Sequence, residues 1–325
     1  MKCIAIESTA HTFGCSVVDG DGNVLSDVRD AYKTDKGGMI PMDVAKHHVE
    51  VKDKVIGGAI EQSGQKKFDL VSFSCSPGIP PCLKVGIKTA KELARKLNVP
   101  LIGVNHCVSH LTSGLLFTGA GDPVFLFCSG ANTQIVGLEG GKYRIFGEAI
   151  SIAIGNMLDK FGREIGFGFP AGPKIEEYAK KGKNFIELPY VVKGMDIELS
   201  GILTKAIQLY RNGVSKEDLC YSLQETVFAM LAETSERALA HTGKKELLLI
   251  GGVAANKRFG EMLNNMCEER GAKFFTVSLK YSADNAAMIA WQGILERDFA
   301  VKPKDFDSID INPRQRTDQV EVSWK

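Results

Sequence analysis

Short apolar runs separated by small polar turns form the beginning of the chain. The runs "CIAIE" and "GCSVVD" have the composition of β-strands, and the turn "GDG" leads from the second run into a third. Asp-Gly between strand-like runs is a strong hairpin signal. The pattern therefore predicts three consecutive strands at the start of the fold.

The same order of elements recurs from Pro123, where "PVFLFC", "TQIVGLE" and "KYRIFGEA" follow one another with small polar turns between them. Helical stretches and buried strands then alternate after each three-strand unit, so each half is predicted as β-β-β-α-β-α-β-α. Two such halves are the pattern of the actin, sugar-kinase and Hsp-type ATPase superfamily. We therefore predict a two-lobed α/β fold of this superfamily, with a nucleotide in the cleft between the lobes.

The length of the chain also favours two lobes, because 325 residues exceed what one hydrophobic core normally serves. We expect residues 1–121 to form lobe one and residues 122–294 to form lobe two. The C-terminal segment, about residues 295–325, is expected to return to lobe one.

Composition limits the class of protein. The chain is 44% hydrophobic and 24% charged with a formal net charge of +1, so no global basic excess indicates nucleic acid, and an RNA surface would be a local patch. None of the eight cysteines forms a CxxC pair, which is typical of a reducing compartment. No signal peptide or membrane span is predicted, and we expect a cytoplasmic protein without membrane contact.

Two small polar turns occupy matching places in the two halves, at residues 7–12 and 129–133. Small residues let backbone N–H groups approach phosphate oxygens, so each turn is a candidate phosphate contact; each is equally compatible with an ordinary hairpin connection. The strand "LLLI" ends in Gly251-Gly252, and Asn256 follows with a side-chain amide that can bind an adenine edge. A simple strand-to-helix turn is the alternative there.

His106 and His110 lie four residues apart in "NHCVSH". This spacing places two imidazoles on one face of a helix, where they can share a metal ion. Cys107 stands where zinc peptidases carry a glutamate base, which disfavours a peptidase. The alternative is a helix start with two half-buried rings, and a third ligand would have to come from elsewhere in the chain.

Several longer motifs now become recognisable in order along the chain: "GVNHCVSH", "SGANTQ", "NMLDKFGR", "CYSLQE", "GGVAANKR" and "DNAAMIAW". Together they resemble the tRNA threonylcarbamoyltransferase family, and most closely its archaeal and eukaryotic branch, the catalytic subunit of the KEOPS complex. The resemblance implies an acyltransferase that moves a threonylcarbamoyl group from threonylcarbamoyl-adenylate to N6 of the adenosine 3′ of a tRNA anticodon, releasing AMP.

The resemblance also implies a metal site and its third ligand. In the family, both histidines and the Asp of a DN motif hold the metal, and these correspond to His106, His110 and Asp284, which are also the implied catalytic residues. Iron or zinc is the implied ion. Since Asp284 follows the last strand of the second half, we expect the ion to join the two lobes. Phe127 stands where archaeal relatives often carry a tyrosine ligand, so water or a substrate oxygen would complete the coordination.

The nucleotide contacts that the resemblance implies fall in the second half of the chain. ATP or threonylcarbamoyl-adenylate is the expected ligand. Ala131 replaces a family glycine, so the backbone there is expected to avoid positive φ. The implied contacts are Cys128, Ser129, Gly130, Ala131, Asn132, Asp159, Gly172, Glu176 and Asn256.

The implied partners are tRNA, a kinase-like subunit and a small dimerising subunit of a KEOPS-type complex. Basic stripes on the helix near residues 84–95 and at residues 180–183 are candidate tRNA contacts, although each is equally compatible with a solvated face. A sugar-kinase-like phosphotransferase and a non-enzymatic nucleotide-binding scaffold are the alternative functions. A two-histidine metal site would serve neither of them.

Overall fold

A computed structural model describes residues 1–34 and 39–324 of the chain. Its described residues separate into two compact units. The first unit contains residues 1–33, 39–116 and 284–324, and the second contains residue 34 and residues 117–283. The C-terminal return to the first unit thus begins at Asp284, earlier than the position near residue 295 that the sequence indicated.

The first half follows the order of elements that the hydrophobic pattern predicted, and the second half adds helices and a short two-stranded sheet, at residues 192–193 and 196–197, to that order. The first half contains β1 (Lys2–Glu7), β2 (Thr12–Asp19), β3 (Val24–Ala31), α1 (Pro41–Ser63), β4 (Leu70–Ser76), α2 (Pro80–Leu97), β5 (Leu101–Asn105) and α3 (His106–Thr118). The second half begins with β6 (Val124–Cys128), β7 (Thr133–Glu139), β8 (Lys142–Glu148), α4 (Ile154–Glu164) and α5 (Gly172–Ala179).

It continues with β9 (Val192–Lys193), β10 (Asp196–Ile197), α6 (Ser200–Arg211), α7 (Lys216–Thr242), β11 (Glu246–Ile250), α8 (Lys257–Glu269), β12 (Lys273–Thr276) and α9 (Leu279–Ser282). The helix α10 (Ala286–Leu295) then belongs to the first unit. Short 3-10 segments follow in the C-terminal tail, at residues 297–299, 303–308 and 317–319.

Each unit contains a five-stranded sheet, and the two sheets have the same topology. The first sheet has the order β3-β2-β1-β4-β5 and the second the order β8-β7-β6-β11-β12. In both sheets the first three strands form antiparallel hairpins, and the remaining strands are parallel to the first. The duplicated α/β architecture that the sequence predicted is therefore confirmed.

Glycines form the hairpin turns that the sequence indicated. Gly22 has φ 85° in the turn between β2 and β3, and Gly140 and Gly141 have φ 59° and 73° between β7 and β8. Consecutive residues with positive φ match the twist of a two-residue hairpin, which glycine adopts without a steric penalty.

A separate hydrophobic core stabilises each unit. In the first unit the buried faces of β1, β2 and β4 pack with α1 and α2, around residues such as Phe13 and Phe73. In the second unit α7 lies against the sheet, and Phe228 stacks on Phe259 of α8 with ring centroids 4.3 Å apart. Among the described residues, no helix combines the length and apolar character needed to cross a membrane.

Close packing holds α10 against the first sheet. Gly293 lies against Ser72 of β4, where an added Cβ would come within 2.5 Å of the serine Cβ. The hydroxyl of Ser72 donates to the carbonyl of Ile289 at 2.6 Å. These contacts hold α10, which begins two residues after Asp284, against the sheet of the first unit.

Candidate metal centre and nucleotide site

The helix α3 begins directly after β5, so the backbone that carries both histidines is held in place by the sheet. The side chain of Asn105 accepts a hydrogen bond from the N–H of Val108 at 3.0 Å, which caps the first turn. Ser109 donates to the carbonyl of Asn105 at 2.8 Å. His106 and His110 lie one turn apart and are 8% and 3% exposed, so both rings are buried rather than half-buried.

Asp284 reaches the same place from the other end of the sequence. It precedes Asn285, whose side chain caps α10 by accepting from the N–H of Met288 at 3.0 Å. The guanidinium of Arg29 donates to the carbonyl of Asp284 at 3.1 Å and to the carboxylate of Asp27 at 3.2 Å. A helix cap and a strand residue thus orient the backbone that carries this carboxylate.

His106, His110 and Asp284 converge on one point within the first unit. The Oδ1 atom of Asp284 lies 3.5 Å from Nε2 of His106 and 3.4 Å from Nε2 of His110. The three donor atoms all lie within 4.8 Å of one another, which is the spacing of ligands around one metal ion. Two imidazoles and one carboxylate are a donor set typical of iron and zinc sites, so the residues fit the metal that the resemblance implies.

The electrostatics of this cluster are those of a cation site. Burial opposes a charge on His106, but the carboxylates of Glu7 and Asp284 raise its pKa well above the usual value. Burial and the neighbouring charge of His106 lower the pKa of His110, although Asp284 accepts a hydrogen bond from it. Despite its burial, His106 and His110 hold the pKa of Asp284 well below its usual range. The carboxylate of Asp284 is therefore ionised at neutral pH, which is the form in which a carboxylate can bind a cation.

All three donors belong to the first unit, which corrects one expectation. The sequence placed Asp284 after the last strand of the second half and predicted an ion that joins the lobes. By its contacts Asp284 instead opens the C-terminal segment of the first unit. The reason is that α10 packs on the first sheet through Gly293, a contact invisible in the order of elements.

The first candidate phosphate turn, at residues 7–12, contacts the histidine cluster. The N–H of Ser8 donates to Ser74 at 3.1 Å, and the N–H of Thr9 donates to the Oε1 atom of Glu7 at 2.6 Å. These donors are used inside the protein. The other oxygen of Glu7, Oε2, lies 2.9 Å from Nδ1 of His106, so this turn supports the histidine cluster.

The second candidate turn, at residues 129–133, has backbone N–H groups that are available to a ligand. The carbonyls of Ser129 and Gly130 accept from the N–H groups of Gly155 and Asn156 at 3.2 Å each, at the start of α4. The N–H of Asn132 donates to the hydroxyl of Ser129 at 3.0 Å. Among the described residues, no protein acceptor is recorded for the N–H groups of Gly130 and Ala131, and both residues are exposed. The turn therefore presents two amide donors of the kind that bind anionic oxygens.

Asp159 and Gly172 are held together by the N-terminus of α5. The Oδ1 atom of Asp159 accepts from the N–H of Ala171 at 2.8 Å, and Gly172 is the first residue of α5. Because Asp159 lies on α4, whose first turn contacts Ser129 and Gly130, these residues form one continuous neighbourhood of the second unit.

Glu176 and Asn256 extend the same neighbourhood. An oxygen of Glu176 accepts from the N–H of Lys257 at 3.3 Å, directly after Asn256. The amide oxygen of Asn256 caps α8 by accepting from Phe259 at 3.0 Å, and its nitrogen donates to Gln224 at 3.0 Å. One N–H of the Asn256 amide is therefore used inside the protein, and an amide nitrogen carries two.

Cys128, Phe127 and Ala131 have placements that limit their roles. Cys128 and Phe127 are fully buried in β6, and burial raises the pKa of the Cys128 thiol. The Cys128 side chain thus belongs to the core, and only its backbone is left for a nucleotide contact. Among the described residues, Asn98 alone combines positive φ with a side chain, so Ala131 avoids positive φ as expected.

Sequence reasoning missed the residues that hold the site residues in place. Glu7 contacts His106, Arg29 contacts the backbone of Asp284, and Gln224 contacts Asn256. A signal existed for Glu7 alone, since a buried acid at the end of a central strand needs a partner. Arg29 and Gln224 lie in an ordinary strand and an ordinary helix.

Comparisons with known proteins agree with the resemblance. A family model described as "TsaD: tRNA N6-adenosine threonylcarbamoyltransferase" matches residues 23–291. A protein of that name from Thermococcus kodakarensis is 49% identical over the full length of both chains. A "probable bifunctional tRNA threonylcarbamoyladenosine biosynthesis protein" from Methanobrevibacter smithii is 49% identical and covers 99% of this chain, which spans 60% of that protein.

Solved structures support the fold. A HypF structure from T. kodakarensis covers 93% of this chain and 49% of its own, with a TM-score of 0.64 and 16% identity. An activator of 2-hydroxyisocaproyl-CoA dehydratase from Clostridium difficile covers 96% of this chain and 98% of its own, with a TM-score of 0.53 and 10% identity. At these identities the likeness concerns the fold alone. The match to the TsaD model and to full-length relatives shows that the chain belongs to the tRNA N6-adenosine threonylcarbamoyltransferase family.

Proposed function

We propose that this protein transfers the threonylcarbamoyl group of threonylcarbamoyl-adenylate to N6 of the adenosine 3′ of the anticodon in tRNA, with release of AMP. The observation that carries this proposal is the cluster of His106, His110 and Asp284 in a member of this family, with all donor atoms within 4.8 Å. Neither a sugar-kinase-like enzyme nor a scaffold has a use for such a cluster, and no relative reported above favours them.

The metal ligands in this proposal are the Nε2 atoms of His106 and His110 and a carboxylate oxygen of Asp284. Two borderline nitrogen donors with one hard oxygen suit iron or zinc, and three protein ligands leave coordination positions open. When bound, the ion supplies a Lewis acid that polarises and orients substrate oxygens. Phe127 supplies no further ligand, because its side chain carries no donor atom.

The second unit would hold the nucleotide part of the substrate. The N–H groups of Gly130 and Ala131 are placed to donate to phosphate oxygens of the adenylate, which become the negative leaving group. Asp159, Gly172 and Glu176 would line the ribose, and the remaining N–H of the Asn256 amide would meet an adenine acceptor. The contacts that tie these residues to one another support this assignment.

The chemistry demands positioning more than strong base catalysis. The carbonyl of the mixed anhydride is attacked by the exocyclic amine of adenosine, a weak nucleophile, while AMP is a good leaving group. Holding the phosphate of AMP at the 129–132 turn stabilises the charge that develops on departure. A metal held by His106, His110 and Asp284 would supply a Lewis acid that orients substrate oxygens.

The proposed partners are tRNA and, through family membership, a kinase-like subunit and a small dimerising subunit. The bifunctional relative from Methanobrevibacter smithii is longer than this chain, which spans 60% of its length. The remaining part of that relative supports a partner domain that acts together with the present chain. We propose that transfer takes place in such an assembly in the cytoplasm.

The test is a transfer assay with purified full-length protein, tRNA and threonylcarbamoyl-adenylate, with and without the two partner subunits. Mass spectrometry of the digested tRNA measures threonylcarbamoyladenosine. We expect the double variant His106→Ala/His110→Ala to lose about 100-fold or more of the rate, since metal polarisation supplies several kcal/mol.

The matched control is His241→Ala, which removes an exposed histidine at the end of α7 in the second unit. The control should transfer at the wild-type rate. A double variant that folds, contains no metal and still transfers at the wild-type rate would overturn the proposal.

A further inference from the structure

Glu7 lies against the edge of the His106 ring that points away from Asp284. Its carboxylate is fully buried, and Oε2 lies 2.9 Å from Nδ1 of His106. The opposite nitrogen, Nε2, lies 3.5 Å from Oδ1 of Asp284. Glu7 and Asp284 therefore contact different nitrogens of one imidazole, and only Nε2 faces the proposed metal.

Thr9 determines which oxygen of Glu7 faces the histidine. The N–H of Thr9 donates to Oε1 of Glu7 at 2.6 Å, and the hydroxyl of Thr9 donates to the same oxygen. Oε2 is left to accept from Nδ1 of His106. The hydroxyl oxygen of Thr9 also lies 3.2 Å from Nδ1, so the ring edge has a second, weaker acceptor.

The topology of the first sheet places Glu7 and His106 together. Glu7 ends β1 and His106 follows β5, and β1, β4 and β5 are parallel neighbours in one sheet. The carboxyl ends of parallel strands meet at one edge, where α/β proteins bind ligands. Glu7 is thus fixed by the central strand of the sheet rather than by a loop.

We propose that Glu7 is a positioning residue of the metal centre, which accepts the Nδ1–H of His106 and thereby presents the unprotonated Nε2 to the ion. The inference rests on the proposed function, because it concerns the metal site of that function. A carboxylate on the outer nitrogen fixes the tautomer and orientation of a ligating histidine and makes it a stronger donor.

The geometry disfavours two other roles for this acid. A phosphate contact beside Glu7 would need the N–H groups of Ser8 and Thr9, but both are bonded inside the protein. Direct metal ligation would need an oxygen beside Nε2 of His106, whereas Oε2 lies beside Nδ1. The described metal-ligand cluster contains the two histidines and Asp284 without Glu7.

The decisive variant is Glu7→Gln, which keeps the shape of the side chain and replaces its carboxylate with an amide. The N–H of Thr9 donates to the Oε1 position, so the amide oxygen of the glutamine must take that place. The amide NH₂ of the glutamine then faces Nδ1 of His106. Because an NH₂ group only donates, Nδ1 must accept this hydrogen bond and therefore carry no proton. The proton of a neutral His106 moves to Nε2, where it blocks the metal; replacing a carboxylate by an amide has this effect on a histidine in other sites.

The first readout is the zinc dissociation constant of the full-length protein, measured by competition with a chromophoric chelator. We expect Glu7→Gln to bind zinc about 10–100-fold more weakly than wild type, and Glu7→Asp to retain more affinity than Glu7→Gln. The second readout is the ¹⁵N shift of the His106 ring. Nδ1 should be protonated in the zinc-loaded wild type and unprotonated in metal-free Glu7→Gln.

The control is Glu296→Gln, which removes another partly buried carboxylate of the first unit, one that contacts Gln292 rather than a ligand. This variant should bind zinc as wild type does. Glu7→Gln with a zinc affinity within about twofold of wild type and a protonated Nδ1 would overturn the inference.

Two further variants keep the outcomes separate. Asp284→Ala should abolish zinc binding; if it does not, the proposed metal centre fails, whereas failure of Glu7→Gln alone overturns only the role of Glu7. If Glu7→Gln does not fold, Thr9→Val removes the hydroxyl bond to Oε1 and should weaken zinc binding about fivefold. Unchanged affinity in Thr9→Val would then count against the inference.

Discussion

Two histidines one turn apart on α3 have opposite electrostatic surroundings. His106 lies between the carboxylates of Glu7 and Asp284, which raise its pKa in spite of burial, whereas burial and the charge of His106 lower the pKa of His110. Without a cation, the cluster therefore holds one protonated and one neutral imidazole. His106 and His110 would hold a divalent ion only after that proton has left, so metal binding there would release a proton.

His48 provides a pH test at a residue outside the candidate metal cluster. It is fully buried against Phe13, and its Nε2 bonds to the carbonyl of Ala10 at 2.9 Å, while the buried Nδ1 has no partner among the described residues. Burial lowers its pKa from 6.5 to about 4, a shift that the charge of His47 reinforces and that the bond to Ala10 and the carboxylate of Glu7 oppose.

The sign of the His48 effect follows from proton uptake. Between pH 6.5 and about 4, His48 binds a proton in the unfolded chain but stays neutral in the folded protein. Its contribution to the free energy of unfolding is therefore fully present above pH 6.5 and is lost as the pH falls through this window. The loss amounts to about 3 kcal/mol at pH 4. His48→Gln should remove this part of the pH dependence, measured by urea unfolding between pH 4 and 7. The neighbouring His47→Gln should retain most of it, because burial is the largest cause of the His48 shift, and equal slopes in both variants would contradict the account.

Gly251 gives a second prediction at the scale of a residue. Its φ is 93°, and an added Cβ would lie 2.3 Å from the carbonyl oxygen of Cys128 on the neighbouring strand. Gly251→Ala should therefore lower the free energy of unfolding by about 2–4 kcal/mol. Gly252→Ala is the matched control, since nothing lies within 4 Å of its added Cβ. Denaturant unfolding measures both, and equal stability of the two variants would show that the close approach is not required.

The sequence predicted the three residues that converge in the candidate metal cluster but not the residues that support them. The HxxxH spacing placed two imidazoles on one helical face, and that local geometry follows from the helix repeat. The third ligand and the nucleotide residues came from family resemblance. Glu7 and Arg29 could not be assigned, because their contacts join residues far apart in the chain through the order of strands in the sheet.

At the scale of elements, α2 and the C-terminal tail depend on each other. Lys91 of α2 donates to the carbonyl of Ile309 at 2.9 Å, Arg95 lies 3.6 Å from Asp307, and its guanidinium lies 5.6 Å from the ring centroid of Phe306. Half of the basic stripe predicted on this helix therefore holds the tail. The exposed remainder is Lys84 and Lys88.

This division changes the expected effects of charge reversal. Lys84→Glu/Lys88→Glu should weaken tRNA binding at low salt and reduce the slope of log affinity against log salt by about 1.5–2, because two phosphate contacts are lost. Lys91→Met should chiefly destabilise the tail. Filter binding at several salt concentrations and urea unfolding separate the two effects. Unchanged tRNA binding in the double variant would exclude the stripe as an RNA contact.

The second basic cluster is a weaker candidate for RNA. Lys180 and Lys181 of the segment after α5 pair with Glu176 and Glu177 at 3.6 and 2.8 Å. Exposed pairs of this kind contribute little stability, but they reduce the local positive potential. The sequence showed the lysines as a run, and the acids one turn earlier explain why the run is not a free cationic surface.

The order of elements could be predicted because the repeat depends on short sequence patterns. Alternating apolar runs, Asp-Gly and Gly-Gly turns, and long helical periods each depend on neighbours in the sequence. The position of α10 could not be read in this way. It depends on the packing of Gly293 against Ser72, a contact between segments that are distant in the sequence. Because of this packing, Asp284 belongs to the first unit.

At the scale of the whole molecule, one topology is used twice for different chemistry. Both sheets place their parallel strands in the same order, and in each unit some candidate residues directly follow a strand, as His106 follows β5 and Ser129 follows β6. The first unit concentrates histidines and carboxylates suited to a metal, whereas the second presents amide donors and small residues suited to a nucleotide. A duplicated fold thus supplies two kinds of site, as a reaction between an adenylate and a second substrate requires.

The most direct test of this account is elemental analysis of the protein purified without chelator, wild type beside Asp284→Ala. We expect close to one iron or zinc per wild-type chain and none in the variant, because the lost carboxylate is one of only three protein donors in the described cluster. Wild-type protein without metal, or a variant that retains it, would contradict the assignment of His106, His110 and Asp284 as a metal centre.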